Sequence, residues 1–171
     1  MTDLCRSAAE SLHAAGWAYE PPLSPDGGVP SALRAAPGAA IRWVSSFSLL
    51  SSADETTWFW SREEYSSGPE SVFAWNELEQ LSIQAVITND EAAAVSRFWS
   101  RHVPILLSVR DGYEYLAVRE DGAVVHGAEP EFEDASVVCS RFEDLLEYIV
   151  ESPPRRDHVV DRVLFGTAIG H

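Results

Sequence analysis

The sequence predicts an α+β fold in which a central, mostly antiparallel sheet is flanked by helices. Residues 104–126 contain three apolar runs separated by Asp111-Gly112 and Asp121-Gly122, and Asp-Gly between such runs is a strong β-hairpin signal. Apolar residues recur at helical spacing near both ends of the chain. The 171 residues, of which 46% are hydrophobic, suffice for one domain with its own core.

The first half of the chain is predicted to mix short helices and strands. Apolar residues at helical spacing predict a helix over residues 3–15, which Gly16 ends. Strand candidates follow in an aromatic region at residues 41–44, 47–50 and 56–60. Asn89 or Asp90 is then expected to cap a helix that runs to Trp99.

The second half of the chain carries the clearest pattern. Residues 104–126 are predicted to form a three-stranded antiparallel meander, and a charged loop leads from there to an apolar run at 136–139. Ser140, with Glu143 three residues later, predicts a capped helix, which Pro153-Pro154 would end.

Domain organisation follows from these elements. Residues 1–152 are expected to form a single domain, and residues 153–171 a C-terminal tail. The tail is weakly helical around residues 159–164, and its sequence leaves open whether it docks on the sheet.

The charge balance restricts the partners. The net charge is −15, and all twelve cationic residues are arginines, which removes lysine Schiff-base chemistry and the lysine of phosphate-binding loops. A chain with this negative charge repels the phosphate backbones of nucleic acids. We therefore expect a basic protein as its partner and not a nucleic acid. Solubility alone explains the acidity equally well.

Location is predicted from what the chain lacks. No apolar run approaches the roughly 18 residues of a membrane span, and the first residues lack the basic start and apolar stretch of a signal peptide. Cys5 and Cys139 are too far apart in sequence to suggest a disulfide framework. We therefore expect a cytoplasmic protein with no membrane partner.

No motif predicts a catalytic centre, a metal site or a cofactor. The five histidines show no metal-ligand spacing, and the chain has no CxxC pair. Glycine-rich nucleotide loops and the GxSxG nucleophile motif are also absent. Carboxylate pairs are abundant in so acidic a chain, so a hydrolase that uses such a pair stays open as an alternative.

The acidic segment 129–134 is the candidate for partner binding. Its acids alternate with Pro130 and Phe132, and an extended segment would point these two inward and the acids outward together. Clustered like charges favour a cationic partner, although an ordinary solvated surface explains them equally well.

Trp58, Trp60 and Trp75 form an aromatic cluster for which core packing is the first interpretation, but an exposed Trp is a common binding hot spot. The predicted partner-binding residues are Glu129, Glu131, Glu133, Asp134, Asp111 and Trp75.

These motifs resemble the SMI1/KNR4 (SUKH) superfamily over roughly residues 29–150. The blocks that carry the resemblance are Phe98-Trp99-x-x-His102-x-Pro104-Ile105, Ser108-Val109-Arg110-Asp111-Gly112-Tyr113-Glu114-Tyr115, Asp121-Gly122-x-Val124-Val125-His126-Gly127-x-Glu129-Pro130-Glu131-Phe132-Glu133-Asp134 and Ser140-x-Phe142-Glu143-Asp144-Leu145-Leu146. Upstream, Phe47-Ser48-Leu49-Leu50, Thr57-Trp58-Phe59 and Phe73-Ala74-Trp75-Asn76-Glu77 fit the bacterial branch. The family's opening helix keeps only its start here, at Val29-Pro30-Ser31, so the N-terminal third matches less closely.

The resemblance implies a function as well as a fold. Many bacterial members are immunity proteins, which bind and neutralise a cognate polymorphic or contact-delivered toxin, often a nuclease. An acidic inhibitor that covers a basic active site is physically sensible. Eukaryotic relatives act as regulatory interaction modules, so a non-catalytic regulatory or scaffolding role is the alternative.

Overall fold

A single antiparallel sheet contains all seven strands of the part of the chain described by the computed structural model, which is residues 3–23, 28–66, 73–151 and 158–166. The strands lie side by side in chain order, and each pairs antiparallel with the next. They are β1 (Ala18–Glu20), β2 (Leu49–Ser51), β3 (Thr57–Phe59), β4 (His102–Ser108), β5 (Glu114–Arg119), β6 (Val124–Ala128) and β7 (Ser136–Cys139). With six helices beside this sheet, the predicted α+β class is confirmed.

Helices cover both faces of the sheet. They are α1 (Leu4–Ala14), α2 (Gly38–Val44), α3 (Glu77–Ala85), α4 (Asn89–Arg101), α5 (Phe142–Glu151) and α6 (Val159–Phe165). Neighbouring residues of β5 identify the faces, since successive side chains of a strand point to opposite sides. The Tyr115 ring lies 5.2 Å from that of Trp99 in α4, whereas the Glu114 carboxylate lies 3.1 Å from the Arg162 guanidinium in α6. We call the side covered by α3 and α4 the aromatic face.

The predicted meander is confirmed as β4, β5 and β6. Its two turns contain Gly112 and Gly122, whose φ angles of 100° and 96° suit glycine best. Gly127 on β6 is opposite Tyr115, and a Cβ at position 127 would lie 2.5 Å from the Tyr115 ring. The aromatic face can therefore hold Tyr115 flat against β6 only because residue 127 lacks a side chain.

Other predictions in the second half of the chain are largely confirmed. The apolar stripe of α5 is buried through Phe142, Leu145, Leu146 and Ile149. The helix begins at Phe142, and the Ser140 hydroxyl donates to Asp144 at 3.1 Å rather than forming the predicted capping box with Glu143.

The N-terminal region differs most from prediction. Helix α1 and strand β3 are confirmed, and the strand predicted at 47–50 lies slightly later, at Leu49–Ser51. The strand predicted at 41–44 is wrong because these residues belong to α2. Two alanines precede them and favour helix, and the helical turn buries Trp43 and Val44 completely.

Two further helices correct the sequence interpretation. Thr88, not Asn89 or Asp90, caps α4: its hydroxyl accepts from the Glu91 N–H, and the Glu91 side chain accepts from the Thr88 N–H. Helix α3, which the sequence reading missed entirely, packs against α4 on the aromatic face.

The C-terminal helix packs on the sheet. Val160, Val163 and Leu164 of α6 are buried, and Arg162 reaches Glu114, which also lies 2.7 Å from His126 Nε2. The predicted helix stop at 153–154 lies outside the described residues. Within the described ranges, no helix is long and apolar enough to cross a membrane.

Candidate protein-binding surface

The loop between β6 and β7 is a turn rather than the extended segment predicted. The Glu129 N–H donates to the Tyr113 carbonyl at 2.9 Å, and the Asp134 N–H donates to the Glu131 carbonyl at 3.1 Å. The inward and outward alternation of side chains therefore ends with β6 and does not continue through the loop. Pro130, which was expected to point inward, is exposed.

Phe132 is the loop's anchor in the core, as predicted. It is buried, with its ring 6.4 Å from the Tyr113 ring and 6.3 Å from the Tyr115 ring. The Tyr115 hydroxyl donates to the Phe132 carbonyl. Because Phe132 is fixed at both ring and backbone, the loop is held against the aromatic face.

Glu133 is a second anchor, contrary to the expectation that it projects outward with the other acids. One oxygen of its carboxylate, Oε2, accepts from the Ser82 hydroxyl at 2.7 Å and from Trp99 Nε1 at 2.9 Å. Ser82 belongs to α3 and Trp99 to α4, and both side chains are buried. Glu133 thus ties the loop to both helices that cover the aromatic face.

The structure brings Glu129 beside the Asp111-Gly112 turn. Glu129 Oε1 occupies space only 2.4 Å from where a Cβ at position 112 would lie. Asp111 and Glu129 are both exposed. The Glu129 carboxylate therefore lies against the turn that carries Asp111, although the two acids are 18 residues apart in sequence.

Helix α3 adds two acids that the sequence reading missed. Burial raises the pKa of Glu77 and of Glu79, and the nearby charge of Glu133 raises that of Glu79 further. Burial also raises the pKa of Tyr113, and the charges of Glu77 and Glu129 add to the effect. Glu79 of α3 and Glu133 of the loop therefore lie close enough for their charges to repel, and Tyr113 lies near both Glu77 and Glu129.

We define the acidic surface by seven residues: Asp111, Glu129, Glu131, Glu133, Asp134, Glu77 and Glu79. Among the described residues, none of the seven forms an ion pair within 4 Å, and the six described ion pairs all involve other acids. Glu131 and Asp134 are exposed and make no side-chain hydrogen bond with that part of the chain. The surface therefore concentrates negative charge that no ion pair within the described residues neutralises.

The aromatic cluster separates into core and surface members. Trp60 is buried, and its Nε1 donates to the Phe73 carbonyl at 3.0 Å, which agrees with core packing. Trp58 is half-buried against Phe73. Trp75 is also half-buried and lies 5.9 Å from Tyr65 between ring centroids, just before the two acids of α3.

A sequence signal for the missed acids did exist. Asn76 is followed by Glu79 three residues later and by leucines at helical spacing, which is a recognised start pattern for a helix. In the structure, Asn76 stands at the N-cap position of α3. In the described ranges, no group of three or more His, Cys, Asp or Glu residues is placed to hold a metal ion.

Comparisons of the chain with protein-family models, with curated proteins and with solved structures found no match. The resemblance to the SMI1/KNR4 superfamily therefore stays a prediction from the sequence motifs.

Proposed function

We propose that this protein binds a basic protein through its acidic surface, and that it is an immunity protein that neutralises a cognate bacterial toxin. The first half of the proposal rests on the surface itself. The second half adds the resemblance of the sequence motifs to the bacterial immunity branch of the SMI1/KNR4 superfamily.

The observation that carries the proposal is that none of the seven acids forms an ion pair within 4 Å, among the residues that the structure describes. Like charges that are close together repel, and a cationic partner removes that repulsion on binding. Such a field also raises association rates, by about tenfold or more at low ionic strength. A toxin that acts on nucleic acid has the matching basic surface.

The loop that displays two of the charges is anchored to the core. Phe132 and Glu133 fix the loop between Glu131 and Asp134 to the core. A loop that is already ordered loses little conformational freedom when a partner binds. The acidic surface is thus suited to a fast and preorganised encounter.

The test is protection of cells that express a toxin domain encoded by a neighbouring reading frame. Glu131→Arg/Asp134→Arg reverses two exposed acids of the surface and is expected to lose most of the protection. Glu10→Arg/Glu20→Arg is the matched control, because it makes the same change in net charge at exposed acids of α1 and β1.

Equal protection by the two double variants would contradict the assignment of the surface. Failure of the wild-type protein to protect against, or bind, any such toxin would contradict the immunity role, and binding to a basic protein that is not a toxin would favour a regulatory or scaffolding module. Robust turnover of a substrate by the purified protein would favour the hydrolase alternative instead.

A further inference from the structure

A groove of about 290 Å³ lies beside the acidic surface. Its described walls come from the turn at residues 31–35, from α4 and the start of β4, and from Trp75 and Glu79 on the α3 side. Trp99, whose indole N–H is already bonded to Glu133, forms part of the wall. The groove therefore combines two tryptophans with a carboxylate, which is more specific than negative charge alone.

Trp75 offers an aromatic surface at this groove. It is half-buried and supported by Tyr65, with the two rings tilted by 39°. A ring held in place by a buried neighbour is a good platform for a cation, since the π face carries partial negative charge.

Glu79 offers a negative charge that the described part of the chain leaves unpaired. It makes no ion pair and no side-chain hydrogen bond with the described residues. Its neighbour Glu133 carries a second charge but uses its carboxylate to hold Ser82 and Trp99. Half-buried, unpaired carboxylates cost stability, and a bound cation would remove that cost.

Two other groups at the groove limit what it accepts. The His102 ring stacks on that of Phe98 with 3.9 Å between centroids, and burial lowers the pKa of His102, which disfavours its cationic form. Arg34 is exposed at the rim and makes no ion pair within the described chain. The positive charge of Arg34 repels a cationic ligand, so its removal is expected to strengthen the binding of such a ligand.

We propose that this groove binds the guanidinium group of one arginine side chain of the basic partner, between the Trp75 ring and the Glu79 carboxylate. The proposal rests on the proposed function, because it names the anchor of that interaction. A planar guanidinium both stacks on an aromatic ring and bonds a carboxylate, whereas a lysine ammonium is a strongly hydrated point charge.

The test uses a small probe, so that it does not depend on a toxin. N-acetyl-arginine-methylamide is titrated into the whole ¹⁵N-labelled protein, and the Trp75 indole resonance is followed after assignment with Trp75→Phe. We expect saturable binding in the millimolar range, as befits one side chain. The norleucine analogue should leave the resonance in place, and the lysine analogue should bind more weakly.

Variants report on each wall. Glu79→Gln should weaken arginine binding about tenfold, because the amide oxygen can still accept a hydrogen bond but no longer carries the negative charge that pairs with the guanidinium. Arg34→Ala should strengthen it about twofold to fivefold by removing a like charge. Glu10→Gln, which removes one exposed acid from α1, should leave it unchanged. Glu79→Gln removes an unfavourably buried charge and is expected to fold, which its amide spectrum checks.

The proposal is overturned if the norleucine or lysine probe binds as tightly as the arginine probe, or if Glu79→Gln binds arginine as the wild type does. A basic partner that still binds and still responds to Glu131→Arg/Asp134→Arg would then leave the proposed function standing. Conversely, arginine binding at the groove without any basic partner would contradict the proposed function alone.

Discussion

Replacement of Glu133 tests most directly whether this carboxylate holds the loop between β6 and β7 in place. Glu133→Ala removes the acceptor of two hydrogen bonds and leaves the N–H of Trp99 and the hydroxyl of Ser82 buried without it. Each unsatisfied buried donor costs about 1–3 kcal/mol, and relief of the repulsion with Glu79 offsets a part. We expect the free energy of unfolding to fall by about 2–4 kcal/mol, which lowers Tm by roughly 5–15 °C for a chain of this size.

Glu133→Gln sharpens the test, because both donors bond the same carboxylate oxygen. The amide oxygen of Gln can take that position, so its cost should be about 1 kcal/mol or less. Urea unfolding followed by circular dichroism measures both values. Glu131→Ala is the control, since Glu131 is exposed and should change stability by less than about 0.5 kcal/mol. The anchoring role is refuted if Glu133→Ala is as mild as this control.

Three further predictions test the fold. Gly127→Ala places a Cβ 2.5 Å from the Tyr115 ring, so unfolding experiments should show a loss of at least about 2 kcal/mol; a loss under 0.5 kcal/mol would contradict the close approach of ring and strand. Burial raises the pKa of Glu64 to about 7, helped by the charge of Glu63, so wild-type stability should fall as pH rises from about 4.5 to about 7. Glu64→Gln should show a smaller fall and be about 1–2 kcal/mol more stable at pH 8, and parallel pH profiles of the two proteins would disprove it. Val163→Ala in α6 removes buried methyl groups and should cost about 1–2 kcal/mol in one cooperative thermal transition; a separate low-temperature transition would show that α6 is not part of the core.

The parts of the fold that the sequence predicted are those where local chemistry decides. The Asp-Gly turns at 111–112 and 121–122 require glycine conformations that few other residues adopt, so the meander was readable from the chain alone. The stripe of α5 has a period that only a helix places on one side.

The failures occurred where tertiary contacts decide. Three apolar residues among 41–44 suit a short strand or a helix by pattern alone, and the packing of Trp43 against Phe47 and Phe59 adds to the helix preference of the preceding alanines. Helix α3 buries Leu78 and Ser82, so beyond the start pattern at Asn76 its apolar pattern is faint.

The acidic surface was predicted only in part, because some of its residues are placed by local chemistry and others by tertiary contacts. Glu131 and Asp134 are exposed as expected, because short polar turns remain in solvent. The inward turn of Glu133 depends on two donors from helices 34 and 51 residues away in sequence, and no local pattern reports such partners. The contribution of α3 to the surface was missed together with the helix itself.

Capture of a basic protein by the acidic surface is measured most directly through the association rate constant with the cognate toxin domain, by stopped-flow fluorescence over a range of salt concentrations. We predict that Glu131→Arg/Asp134→Arg slows association at least about tenfold at low salt, and that the difference shrinks as salt screens the charges. Equal rate constants for this variant and the wild type at low salt would contradict the claim.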